Sequence, residues 1–252
     1  IPALSLNDGH TIPQIGFGVW QVPDDIVTDA TLEAFRCGYR HVDTAAVYQN
    51  ERGVGEAIAR TDLDRSDLFI TTKVWNTDHG YDATLRAFDT SIGLLGLDQV
   101  DLYLVHWPAP ATGDYLETWR AVLSLREDGR VRSVGVSNFH VHHLTRIIDE
   151  FGVVPVVDQV ELHPWLPQSE LRAFAAQHDI LIEAWSPLAS GNLIDDPQLA
   201  AIGAKYGKTA AQVMVRWHLE LGNVVRPKSV TPERIRQNIE VFAVGLDEEA
   251  VS

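Results

Sequence analysis

Leu68-Phe-Ile-Thr-Thr-Lys-Val74 is a short run of β-forming residues that carries a lysine at its end, with Trp75 directly after it. A run this apolar predicts a strand buried on both faces, as in a parallel sheet. The runs on either side have the same form. Tyr39-Arg-His-Val-Asp43 ends on an acid, with Tyr48 in the loop beyond, and Val100-Asp-Leu-Tyr-Leu-Val105 leads directly into His106. Five more runs, at 15–19, 132–136, 156–160, 180–185 and 223–226, extend the series to eight. Helical patterns alternate with them at 26–37, 51–60, 81–95, 114–128, 140–150, 168–178, 197–220 and 232–241.

Eight strand–helix units predict an α/β fold, a (β/α)8 TIM barrel, as a single domain over residues 1–252. Apolar alternation around Asn7-Asp8-Gly9 predicts a short N-terminal β-hairpin in front of it. A doubly wound sheet would carry a glycine-rich dinucleotide turn after its first strand. Gly53-Val-Gly55 opens a helix but has no third glycine in register and no strand directly before it, so that architecture is rejected.

In such a barrel the carboxyl ends of the strands share one mouth. Asp43, Tyr48, Lys73 and His106 all fall at or just past strand ends. A phenol can act as general acid, and a nearby ammonium favours the phenolate it leaves behind. Asp43 can hold Lys73 in its charged form, and His106 can orient a substrate oxygen. Taken singly, each has a structural explanation: a cap, a packed ring, a solvated lysine, an interior histidine. Together at consecutive strand ends they read as a proton-transfer site. Trp20, Trp75 and Trp107 also follow strands and would make the mouth apolar. Trp119 and Trp217 lie within helices and read as packing, while Trp165 sits in a loop.

The chain has 35 acidic and 20 basic residues, a formal charge of -15. Nucleic-acid and acidic-membrane surfaces need the opposite balance. The single cysteine, Cys37, lies in an apolar helical stretch; it reads as a core residue and points to a reducing compartment, the cytoplasm. The chain starts at Ile1 and stops at Glu-Ala-Val-Ser252, so further terminal sequence is expected. Within this acidic chain, Arg226-Pro-Lys-Ser-Val-Thr-Pro-Glu-Arg234 gathers basic residues at a helix start, with Thr231 as N-cap and Pro232 at the first helical position. Arg234 and Asn238 are four apart on that helix, and the cluster leans towards an anionic ligand.

These segments resemble the aldo-keto reductase family from Ala3 to about Leu246. The similarity rests on Asp43-Thr-Ala, Tyr48-Gln-Asn-Glu, Thr72-Lys-Val-Trp-Asn, Leu104-Val-His-Trp-Pro, Gly135-Val-Ser-Asn-Phe and the Arg226–Arg234 segment. Within the family, the bacterial 2,5-diketo-gluconate reductases and prostaglandin F synthase-like enzymes look most similar. The resemblance implies NADPH-dependent reduction of a small-molecule carbonyl, with Asp43, Tyr48, Lys73 and His106 as the catalytic tetrad and Tyr48 as proton donor. It further implies that Ser137, Asn138 and Gln159 bind the nicotinamide carboxamide and that Trp185 stacks on its ring. Ser186, Leu188 and Gly191 would cover the pyrophosphate. Lys228, Ser229 and Arg234 would hold the 2′-phosphate, with Gln237 and Asn238 near the adenine. A monomer is implied as well.

The sequence departs from the family pattern at three places. Gln49 stands where glycine usually follows the tyrosine. Arg226 replaces an apolar strand residue, either to reach the cofactor or to disturb the last strand. The carboxyl-terminal loop that usually closes over substrate lies beyond the sequence. Two other functions are consistent with parts of this pattern. An NADPH-binding redox sensor would keep the tetrad yet turn over little. A metal-dependent hydrolase would need more than His140, His143 and His163, of which the helical pair reads as a solvated face, so no metal site is expected.

Overall fold

The computed structural model describes residues 1–111, 113–187, 193 and 195–247. β1 (Ala3–Ser5) and β2 (Thr11–Pro13) pair antiparallel as the expected hairpin. Eight parallel strands follow: β3 (Phe17–Gly18), β4 (His41–Asp43), β5 (Phe69–Val74), β6 (Val100–Val105), β7 (Val131–Ser137), β8 (Val157–Glu161), β9 (Leu181–Trp185) and β10 (Val224–Val225). Each pairs with the next in chain order. The sheet then closes on itself. Ile15 bridges Val225 in parallel register, and Gly16 N–H donates to Val225 O at 2.9 Å.

The helices fill the gaps between strands: α1 (Asp24–Cys37), α2 (Glu51–Arg60), α3 (Tyr81–Leu95), α4 (Tyr115–Glu127), α5 (Val141–Phe151), α6 (Ser169–Gln177), α7 (Pro197–Tyr206), α8 (Ala210–Glu220) and α9 (Pro232–Ile239). Every residue of β5 and β6 is buried, as expected for strands covered on one side by helices and on the other by the barrel interior. None of the helices among the described residues is long and apolar enough to cross a membrane.

The barrel interior decides which end is open. Leu6 and Ile12 from the hairpin pack with Phe69, Leu102, Leu104, Val157 and Val224 inside the sheet. Asn7 Nδ2 donates to Pro155 O and Asp179 O, which lie just ahead of β8 and β9. The hairpin therefore stoppers the amino-terminal end, and the strands present their carboxyl ends to the cleft at the other.

Gly53 and Gly55 serve packing. A Cβ on Gly53 would lie 2.3 Å from Val27 Cγ1, and one on Gly55 would lie 2.5 Å from the Leu95 backbone carbonyl. α2 thus sits against α1 and α3 at a distance only glycine permits. Gly55→Ala is expected to destabilise the fold by about 1–3 kcal/mol, because the obstructing atom is backbone and cannot rotate away. Urea unfolding would check this.

One predicted helix is in fact two. The pattern over 197–220 breaks at Gly207, which is left-handed at φ 64°, and restarts behind a reciprocal Thr209–Gln212 capping box. Trp119 is fully buried in α4 and Trp217 is half-buried in α8, both as packing residues, whereas Trp165 is exposed.

Candidate active site

Three strand ends and one turn bring together the four residues expected to form the proton-transfer site. β4 ends on Asp43, β5 carries Lys73 one residue from its end, and His106 follows β6 directly. Tyr48 closes a single 3-10 turn, Ala46–Tyr48. The turn is anchored by Asn50, whose Nδ2 donates to Val19 O at 2.8 Å and Val22 O at 2.9 Å, while its Oδ1 accepts from Thr44 Oγ1 at 2.7 Å. Gln49 adopts φ 58°, the left-handed region that glycine occupies without cost, so the glutamine is accommodated rather than avoided.

Lys73 is wholly buried. Its Nζ donates to Asp43 Oδ1 at 2.6 Å and to Thr44 O at 2.7 Å, and it lies 3.5 Å from the Tyr48 hydroxyl. Burying an ammonium is costly unless it is paired, and this one is paired and aimed at the phenol. Burial works to raise the Asp43 carboxyl, but the Arg226 and Lys73 cations outweigh it and hold the group below the usual carboxylate range. His106 is held well below the usual imidazole range by burial first, then by the Lys73 charge. Its ring meets Tyr48 edge-on at 5.7 Å and Trp75 at 5.0 Å. A neutral imidazole in this place can take part in a hydrogen bond to an oxygen without adding charge.

Tyr48 and His106 open onto a cleft of about 580 Å³, with Asp43 and Lys73 buried behind them. Trp20, Trp75 and Trp107 line it, as do Tyr48, His106 and Val47. Trp20 and Trp107 remain 49% and 40% exposed, which leaves two indoles at the rim free to meet a ligand.

The remaining expected residues divide into two groups. Ser137, Asn138, Gln159, Trp185 and Ser186 line the same cleft, and Lys228 lies at its edge. The first four are linked: Ser137 Oγ donates to Gln159 O at 2.7 Å, Asn138 Nδ2 to Ser137 Oγ at 3.1 Å, and Trp185 Nε1 to Asn138 Oδ1 at 2.9 Å. Gln159 Nε2 donates to Asp43 Oδ2 at 2.8 Å, which joins this chain to the tetrad. Ser229, Arg234, Gln237 and Asn238 lie further along the chain from Lys228 and do not line the described cleft. Leu188 and Gly191 lie outside the described residues.

Some details differ from expectation. Thr231 takes the N-cap position of α9, but its hydroxyl makes no capping bond; instead Ser229 Oγ accepts from Thr231 N–H at 3.1 Å. Arg234 is exposed while Asn238 is buried, so the two do not present one open face. His143 is buried against the rings of Tyr115 and Phe139, and its Nδ1 accepts from His140 N–H at 3.1 Å. It is therefore a packing and capping residue, not part of a solvated face. Arg226 does not disturb the last strand: Val224 and Val225 pair with Glu183 and Ala184 just before it.

One buried ion pair beside these residues was not expected from the sequence. Glu183, in the middle of β9, and Arg226, just past β10, are both buried, and Arg226 Nε lies 2.9 Å from Glu183 Oε1. An acid inside an apolar strand and an arginine at the end of a later one are visible in the sequence, but nothing in it shows that they meet.

Residues 14–252 match the Aldo/keto reductase family. The chain belongs to the aldo/keto reductase family. Methylglyoxal reductase DkgA of Escherichia coli (strain K12) is 48% identical over 248 residues, which cover 98% of this chain and 90% of that protein. The crystal structure of an aldo/keto reductase from Brucella melitensis superposes with a TM-score of 0.96 at 52% identity, covering 100% of this chain and 97% of that one. A variant of Gox0644 crystallised in complex with NADPH superposes with a TM-score of 0.95 at 48% identity, covering 99% and 90%. Aldo/keto reductase membership also fits the closed eight-stranded sheet and the hairpin at its base.

Proposed function

We propose that this chain is an NADPH-dependent carbonyl reductase acting on aldehydes, dicarbonyls or keto sugars, with Tyr48 as the proton donor. The observation that carries the reading is the buried Lys73 ammonium, held by Asp43 at 2.6 Å and facing the Tyr48 hydroxyl at 3.5 Å on the floor of an aromatic cleft. A small α-ketoaldehyde is the first substrate class to test, because the DkgA relative is named for methylglyoxal and the three rim and wall indoles suit a compact ligand.

The residues fit the nicotinamide cofactor. A half-buried indole, Trp185, stands beside the amide groups of Asn138 and Gln159 in the same cleft as the phenol, and a lysine follows at the edge. In this reading Ser137, Asn138 and Gln159 hold the carboxamide and Trp185 covers the ring. Lys228, Ser229 and Arg234 supply positive charge and donors for the 2′-phosphate, with Gln237 and Asn238 towards the adenine. NADPH, when bound, supplies the hydride.

The chain's own residues do the rest. His106, kept neutral by burial, orients the carbonyl oxygen toward Tyr48. The Tyr48 hydroxyl gives its proton to that oxygen as negative charge develops there. The phenolate left behind is stabilised by the fixed Lys73 ammonium, which needs no rearrangement at the moment of reaction. Asp43 and Thr44 O keep Lys73 in place. The tryptophans at the mouth keep the cleft apolar, which strengthens each of these interactions.

Arg234→Ala is expected to weaken NADPH binding by roughly tenfold, the scale of one charge-assisted phosphate contact, and to leave NADH binding nearly unchanged. Fluorescence titration with each cofactor measures both. Equal losses for the two would remove Arg234 from the 2′-phosphate site.

A further inference from the structure

Lys73 is not the only cation beneath the phenol. Arg226 is 5% exposed, and its guanidinium is held between two carboxylates. Nη1 contacts Asp43 Oδ1, while Nε lies 2.9 Å from Glu183 Oε1 without its N–H pointing along that line. Lys73, which lies 3.5 Å from the Tyr48 hydroxyl, pairs with the same Asp43 oxygen, and Tyr48 and Arg226 line one cleft. The guanidinium also borders the cleft beside Gly18, where a Cβ would come within 3.8 Å of Nη1.

We propose that Arg226 is a positioning residue for the Tyr48 donor, its buried guanidinium adding a second fixed cation that shares Asp43 Oδ1 with Lys73. This rests on Tyr48 being the proton donor.

The charges around Arg226 support it. Burial opposes the charge of Arg226, but Asp43, Glu183 and Tyr48 outweigh it, so the guanidinium stays ionised. Burial raises the Glu183 carboxyl, with Arg226 working against the rise and Asp43 adding to it. His41 is pushed down to about 3 and His106 well below its usual range, both by burial first, so neither adds charge near neutral pH. Two cations, Lys73 and Arg226, then face Asp43, which is firmly ionised, and Glu183, which is raised to about 7 and so carries its full charge only on the alkaline side. Below that pH the four groups carry a net positive charge near Tyr48, and above it Glu183 supplies the balancing negative charge. A tunable surplus is what a proton donor working near neutral pH needs.

The plain alternative is a structural clasp, since Arg226 ties the end of β10 to β4 and β9 where the barrel closes. A clasp affects stability; a positioning cation also affects the pH at which the donor loses its proton. The test is the alkaline limb of kcat for methylglyoxal reduction with NADPH, measured for wild type, Glu183→Gln, and Arg226→Met combined with Glu183→Gln. Pairing the two substitutions avoids leaving a lone carboxylate buried.

On the alkaline limb Glu183 is ionised, so Glu183→Gln strips the guanidinium of half its countercharge there, and the limb should move to lower pH. Adding Arg226→Met should move it back up by about one pH unit or more relative to Glu183→Gln, the scale of one charge a few ångströms away at protein dielectric. Arg226→Lys in the Glu183→Gln background should recover part of that shift. Limbs that coincide in all variants, with only the unfolding temperature falling, would overturn the proposal and leave a clasp. Should the double variant fail to fold, Glu183→Gln against wild type decides alone: a downward shift supports the proposal and coincidence overturns it. A wild type that turns over and a Tyr48→Phe variant that does not, together with unmoved limbs, would sink the Arg226 proposal and spare the reductase reading. A wild type with no turnover would remove both.

Discussion

Tyr48→Phe is expected to lower kcat for aldehyde reduction by about 10²–10⁴, the usual contribution of a positioned general acid. NADPH affinity should stay within about twofold, because the substitution removes one oxygen and no cofactor contact of this reading. The ring should keep its edge-on contact with His106 at 5.7 Å, and the turn that carries it is fixed by Asn50 rather than by the hydroxyl. The loss should therefore fall on kcat and not on the fold. Stopped-flow turnover and a cofactor titration on the same preparation would measure both. Retained turnover would take the proton-donor role away from Tyr48.

Lys73→Met should cut kcat by about 10²–10³, since a preorganised charge beside developing negative charge is lost. Its effect on stability carries a second lesson. Breaking a buried ion pair ordinarily costs about 3–5 kcal/mol because the surviving charge is stranded. Here Asp43 would keep Arg226 on Oδ1 and Gln159 Nε2 on Oδ2, so the acid is not left alone. The unfolding free energy should therefore fall by no more than about 3 kcal/mol, with Thr44 O the group that loses its donor. A much larger loss would show that Arg226 does not compensate Asp43.

The parts of this site that lie along single strands were legible in the sequence. Asp43, Lys73 and His106 each come at or near the end of a short apolar run, and the eight-fold repeat of such runs says that those ends share a mouth. The family motifs extended this to the amide and indole groups of Asn138, Gln159 and Trp185, which do line the cleft. What was not legible depends on closure. Arg226 and Asp43 are far apart in the chain and meet only because Ile15 bridges Val225 and brings β10 back beside the first strands. Periodicity describes one strand at a time, so it cannot show which charged side chains face each other across the interior.

The break between α7 and α8 was legible but overlooked. Gly207 followed by Thr209-Ala-Ala-Gln212 is a helix stop and a capping-box start, and the uninterrupted apolar pattern on either side masked it. His143 illustrates the opposite case. Its place beside His140 and His142 looks polar, but the rings of Tyr115 and Phe139 bury it, and those rings come from a different helix and from the loop after β7.

The most direct measurement is NADPH oxidation by the wild-type chain against a panel of simple aldehydes, α-ketoaldehydes and keto sugars, repeated with NADH. The account predicts turnover with at least one of these classes and a clear preference for NADPH. Tight NADPH binding with no turnover across the whole panel would contradict it, and would mean that the tetrad holds its geometry without acting as a reductase.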